Sequence, residues 1–197
     1  IYTFFRSLCA HFINSGYDDL LPVLHRINCK NIEKGYLYYE GKISSGAIAN
    51  VTNVALLVGE AEWARDFIES HKDSVIGDNE TLDFYRLNLA SYYFFVKNFD
   101  AALDLIPSGS QDTEYHYRGR RLRLKLYYET NSELLHYEID AFKMLVSRAS
   151  KKVLATHFRD LQNNFINLLF QIVHSRPGDP QRVERLIRRI QSKKSVA

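Results

Sequence analysis

Apolar residues recur at three- and four-residue spacing along nearly the whole chain, and alternating, strand-like runs are almost absent. That spacing follows the 3.6-residue turn of an α-helix with one buried face, so the core has to be built by packing helix on helix. The interruptions, such as Ser15-Gly16 and Gly59-Glu60, are short and polar. Short connections leave successive helices antiparallel. The predicted fold is therefore all-α: stacked antiparallel helical hairpins in an α-α superhelix.

The expected elements follow from caps and breakers. A first helix covers roughly residues 2–14. A second begins with Asp18 or Asp19 as N-cap, which puts Pro22 in its first turn, where a missing N–H costs nothing. A third helix is expected to run to about Tyr39, with a turn at Glu40-Gly41-Lys42. Ser44 or Ser45 caps the next helix, which ends near Val58, and residues 61–71 form its partner. Gly77-Asp78-Asn79 closes that pair, with Asn79 or Thr81 as the following N-cap. Residues 82–96 and 99–106 make another pair, followed by a loop at Pro107-Ser108-Gly109-Ser110. Residues 113–129 and 132–148 make a third pair. Ser150 is expected to cap a long helix ending near His174, and a turn at residues 177–180 leads into a short basic helix.

Three segments superpose: NVALLVGEAEWARDFIESH (53–71), NLASYYFFVKNFDAALDLI (88–106) and RLKLYYETNSELLHYEIDAF (123–142). Each ends a helix in apolar or aromatic residues, breaks briefly, and opens a second helix with a small or apolar residue. Ala64 and Ala102 occupy the small position in the first two segments, where a short side chain lets paired helices approach closely. Their separation of 38 residues lies near the tetratricopeptide period of about 34. Over residues 45–175 the chain resembles tetratricopeptide repeats, and more closely a group of uncharacterised bacterial helical-repeat proteins. The resemblance implies a right-handed stack of helical hairpins and no enzymatic residues. Three regions follow: N-terminal helices at 1–44, tetratricopeptide-like repeats at 45–175, and a basic capping helix and tail at 176–197.

Composition excludes several classes. The longest unbroken apolar runs, Val54–Val58 and Tyr92–Val96, are five residues long, far short of the roughly twenty that span a bilayer. Apolar residues at 46% with a net charge of only +3 exclude a disordered chain, and that charge gives no reason to expect nucleic acid. Two cysteines, Cys9 and Cys29, are too few for a disulfide framework and suit a reducing, cytoplasmic setting. A bond between them across a helical hairpin stays open. The opening IYTFFRSLCAHFI has no signal-peptide pattern, and Ile1 reads as a cut inside a longer protein.

Little in the sequence points to catalysis. There is no His-Glu-x-x-His, phosphate-binding glycine loop or nucleophile elbow. His25 and Cys29 share a helix face, but Cys9 and His11 fall on opposite sides of theirs, which argues against a four-ligand metal site. No enzyme activity, metal or cofactor is expected. Trp63 and the tyrosines are expected to pack between hairpins. The basic run Arg118–Lys125 divides between two helix faces, with Arg120 and Arg123 together. It reads as a solvated surface, a grip for an acidic peptide, or, least, a nucleic-acid contact. The basic C-terminal helix carries the apolar residues Val183, Leu186, Ile187 and Ile190, expected to cover the last hairpin.

The expected function is a non-catalytic protein–protein interaction scaffold, whose concave groove of first helices takes a peptide or partner helix. The alternatives are a nucleic-acid-binding or regulatory array, or an accessory domain whose activity lies upstream of Ile1. Counting back from Tyr93 places Asn50 and Asn88 at one equivalent position, with Arg123 there in the third segment, Asn53 one turn beyond Asn50, and Arg120 beside Arg123. Amides can pair with a peptide backbone and arginines with a carboxylate, so Asn50, Asn53, Asn88, Arg120 and Arg123 form the expected groove site.

Overall fold

In a computed structural model the described residues are 2–76, 81–106, 113–150, 154–176 and 178–192. The fold is all-α, with ten helices and one two-stranded sheet among those residues. The helices are α1 (Tyr2–Ile13), α2 (Leu21–Glu33), α3 (Ser45–Leu57), α4 (Ala61–Ser70), α5 (Thr81–Phe95), α6 (Phe99–Leu105), α7 (Thr113–Glu129), α8 (Leu135–Arg148), α9 (Thr156–Val173) and α10 (Pro180–Ser192). Two compact units divide the chain, Ile1–Leu126 and Tyr127–Ala197.

In the first unit α1 packs on α2, α3 on α4 and α5 on α6, and α3 also lies against α2 and α5. The breaks between α3 and α4 and between α5 and α6 are the short ones the sequence predicts. Gly59 breaks α3 from α4 at φ +87°, a backbone conformation that only glycine adopts without strain. Ser44 caps α3 by accepting from the Ala47 N–H, and Asn98 caps α6 by accepting from Ala101. Ala64 and Ala102 are both fully buried. Ala64 packs with Ala55, Leu56, Ile68, Leu89 and Tyr92. Ala102 lies in a larger cluster with Ile48, Phe84, Leu87 and Leu126.

The expected third helix to Tyr39 is not formed. After α2 the chain turns at Gly35, φ +73°, and makes a β-hairpin of β1 (Tyr38–Tyr39) and β2 (Lys42–Ile43), with Tyr38 opposite Ile43. Glu40 and Gly41 between them both have positive φ, as a two-residue hairpin turn requires. Tertiary contacts decide this. Ile43 is fully buried, its N–H donates to Ser74 O and its carbonyl accepts from Ile76 N–H. Tyr38 Oη sits 2.7 Å from His71 Nε2, while His71 Nδ1 lies 2.7 Å from Phe67 O. A carbonyl only accepts, so Nδ1 carries the proton and the Tyr38 hydroxyl donates to Nε2.

Other boundaries also move. Asp18 and Asp19 form a 3-10 turn, Asp18–Leu20, and Leu20 stands at the N-cap of α2, with Pro22 in its first turn. Helix α9 starts at Thr156, with Ala155 rather than Ser150 at its N-cap. The expected breaks at 77–79 and 107–110 lie outside the described residues.

In the second unit α9 packs on α8 and α10. Leu135, Ile139, Phe142, Val146, Phe165, Ile166 and Leu169 are buried. Arg159 of α9 donates to the carbonyls of Val146 and Ala149, groups that the end of α8 leaves without helical partners. Helix α10 buries Leu186 while Val183, Ile187 and Ile190 stay exposed, so its apolar stripe is covered only in part. Arg189 and Arg182 tie it to Gln171 and Ser175.

Candidate functional site

Helical spacing turns one face of each of the first three helices toward a common space. On α1 these are Arg6, Ala10 and Ile13, flanked by Ser7 and His11, with Asn14 just past its end. On α2 they are Leu21, Leu24 and Asn28, and on α3 Asn50, Asn53, Val54 and Leu57. Together they line a cleft of about 550 Å³. Buried Leu24 and Val54 cluster with Ala10, Ile13 and Leu21 to form its apolar floor. Among the described residues the walls carry four amides (Asn14, Asn28, Asn50 and Asn53), one guanidinium, one imidazole and one hydroxyl, and no carboxylate.

Arg6 is tied to the far side of this space. Its Nε donates to Asn28 Oδ1 at 3.0 Å, and Asn28 itself is 1% exposed. Burial holds the Arg6 guanidinium below its ordinary pKa. An arginine remains charged nonetheless. Among the described residues the bond to Asn28 is its only polar contact, and no carboxylate pairs with it.

The expected groove residues divide between different places. Asn50 is exposed and Asn53 half-buried, and both line the cleft. Asn88 does not reach solvent. It is fully buried, and its Nδ2 donates 2.8 Å to Phe84 O one turn earlier, a local bond that a mid-helix asparagine makes with its own backbone. The continuous surface expected through Asn50, Asn88 and Arg123 is therefore not formed. Arg120 and Arg123 are half-buried on α7 and are not part of the cleft lining. The whole basic run is half-buried rather than solvated. Burial pulls the Lys125 ammonium down, with Arg121 adding to it. Burial likewise lowers His116, followed by Arg120 and Arg123.

The cleft residues Arg6, Ser7, His11, Asn14 and Asn28 are absent from the sequence-based site. Their only sequence signal is a helical alignment, with Arg6, Ala10 and Ile13 on one face of α1 and Asn14 just past its end. Which face that is depends on where α2 and α3 lie.

The remaining candidates lie outside the cleft lining. Cys9 and Cys29 are free thiols. Cys29 Sγ lies 3.7 Å from His25 Nε2. Burial raises the thiol and lowers the imidazole, so both groups favour their uncharged forms. A cysteine nucleophile needs the opposite, a thiolate beside an imidazolium. No three His, Cys, Asp or Glu side chains come together among the described residues. Trp63 stacks on Phe67 at 5.3 Å and meets the edge of His25 at 5.0 Å, so it packs as the sequence predicts. No described helix is long and apolar enough to cross a membrane. No protein-family model, curated protein or solved structure matches the chain.

Proposed function

We propose that the chain is a non-catalytic protein-interaction module that holds an extended segment of a partner in the cleft between α1, α2 and α3. The observation that carries this is the joint placement of Asn50 and Asn53 with Asn14 and Asn28 around an apolar floor. Each amide offers both donor and acceptor, which suits the alternating N–H and C=O groups of an extended backbone. The floor of Leu21, Leu24, Val54 and Leu57 suits apolar side chains, and the volume lies within the range of small ligand sites. A tetratricopeptide-like superhelix is part of the proposal. Its support is the α3–α4 and α5–α6 hairpins, each with a buried alanine at the small position.

Selection of linear peptides displayed on phage tests the proposal. Enriched peptides should lose at least tenfold in affinity to Val54→Glu, which puts a charge into the floor, while Arg123→Ala leaves them unchanged. Failure to enrich any peptide, or peptides indifferent to Val54→Glu in a protein that still folds, would refute it.

A further inference from the structure

We infer that α10 is a surface anchor, whose exposed apolar stripe and arginines dock on a bilayer that displays anionic lipid. This goes beyond the interaction module: the cleft belongs to the first unit and α10 to the second, so either reading can fail alone. Helix α10 divides into two faces. At about 100° per residue, Val183, Leu186, Ile187 and Ile190 fall within an arc of roughly 100°, and Arg182, Arg185, Arg188 and Arg189 fall on the opposite arc. Leu186 is buried, and the bonds from Arg182 to Ser175 and from Arg189 to Gln171 hold the helix on α9. The helix is therefore formed and placed before any partner arrives. Val183, Ile187 and Ile190, three and four residues apart, remain exposed side by side.

Charge selects the occupant. Within Pro180–Ser192 four arginines stand against one carboxylate, and that carboxylate, Glu184, is paired with Arg188. Over residues 176–197 lysine and arginine exceed aspartate and glutamate by five in a chain of net charge +3, so the rest of the chain is slightly acidic. Positive charge is thus gathered at the one helix that leaves aliphatic residues uncovered opposite its arginines. A protein helix seated on the stripe would touch Val183, Ile187 and Ile190 and leave the arginines on the far arc unmatched. A nucleic acid would meet the arginines and leave the stripe in water. A bilayer engages both faces. The aliphatic residues enter the boundary between headgroups and acyl chains, as those of interfacial amphipathic helices do. A charged sheet wider than the helix attracts the arginines over a screening length of about 8 Å, and their flexible stems bend toward the headgroups. No described helix is long and apolar enough to cross a membrane, so α10 lies on the surface rather than through it.

Flotation of the whole chain with lipid vesicles tests this. Vesicles of phosphatidylcholine with about 30% phosphatidylglycerol should carry the protein, with a partition coefficient at least tenfold above that for phosphatidylcholine alone. Val183→Ser combined with Ile187→Ser should lower binding to the anionic vesicles at least tenfold, and Arg185→Gln combined with Arg188→Gln at least fivefold. All four side chains are exposed, so both double variants should keep the parent's thermal midpoint. Raising the salt from about 0.05 M to about 0.5 M should release the parent at least fivefold, because it shortens the screening length. No binding to anionic vesicles, equal binding to neutral ones, or binding indifferent to either pair of substitutions would overturn the inference. A mixed-sequence DNA duplex and poly-glutamate serve as competitors. Either one held more tightly than the anionic vesicles, and unaffected by Val183→Ser with Ile187→Ser, would assign the arginines to another polyanion and overturn it as well.

Discussion

Lengthening Ala64 to leucine tests the close helix approach on which the hairpin stack depends. Ala64 has no exposed surface and is enclosed by Ala55, Leu56, Ile68, Leu89 and Tyr92. Leucine adds three carbons. In a site with room, burying them would stabilise the protein by roughly 2 kcal/mol, at about 0.8 kcal/mol for each. In a site closed on all sides the same atoms push α4 away from α3 or force strained rotamers, at a cost of about 1–3 kcal/mol. The two cases differ in sign, so the experiment decides between them. Ala102→Leu should behave alike, because Ala102 is equally buried between α5 and α6. Asp66→Leu, at a side chain 71% exposed on the same helix as Ala64, is the control and should stay within about 0.5 kcal/mol. The assay is urea unfolding followed by fluorescence of Trp63, the only tryptophan, which stacks on Phe67 beside the altered site. Midpoints for Ala64→Leu and Ala102→Leu that match or exceed the parent would refute close approach at these positions.

Two further outcomes follow from buried polar groups. Asn88→Asp should cost about 3 kcal/mol or more at neutral pH, because it places an unpaired charge in the core. The penalty should shrink in acid as the carboxyl protonates, and an effect under about 0.5 kcal/mol in chemical unfolding would mean that the side chain reaches solvent. Tyr85 is pushed up to about 12, first by burial and then by its hydrogen bond to Glu69, where the hydroxyl donates to Oε1 at 2.8 Å. The folded state thus holds the phenol proton more tightly than the unfolded state, whose value is about 10. The resulting stability is complete below pH ~10 and is lost as the pH rises through about 12. Absorbance titration of phenolate should show the last-titrating tyrosine vanish in Tyr85→Phe and move down in Glu69→Gln; a last step unchanged in both assigns it elsewhere.

What the sequence determined is whatever a helix settles within itself. A 3.6-residue apolar period, a Ser44 or Asn98 at an N-terminus and a glycine at position 59 act through bonds and packing over four or five residues, so helix type and many boundaries were legible without neighbours. The buried alanines were legible for a related reason, since a short side chain among large ones marks a close contact. What only the tertiary structure decided is direction. Periodicity states that Asn50 and Asn53 share a face, and it states the same for Arg6 and Asn14; it does not say which neighbour covers that face. Asn88 was matched to Asn50 by counting, yet α5 turns it into the core while α3 turns Asn50 outward. Residues 38–43 form a hairpin because Ser74, Ile76 and His71 supply its partners from more than thirty positions away. The Arg6–Asn28 bond spans 22 residues and two helices. Contacts at that range depend on how the helices pack, and packing is a property of all the faces together rather than of any one stretch of sequence.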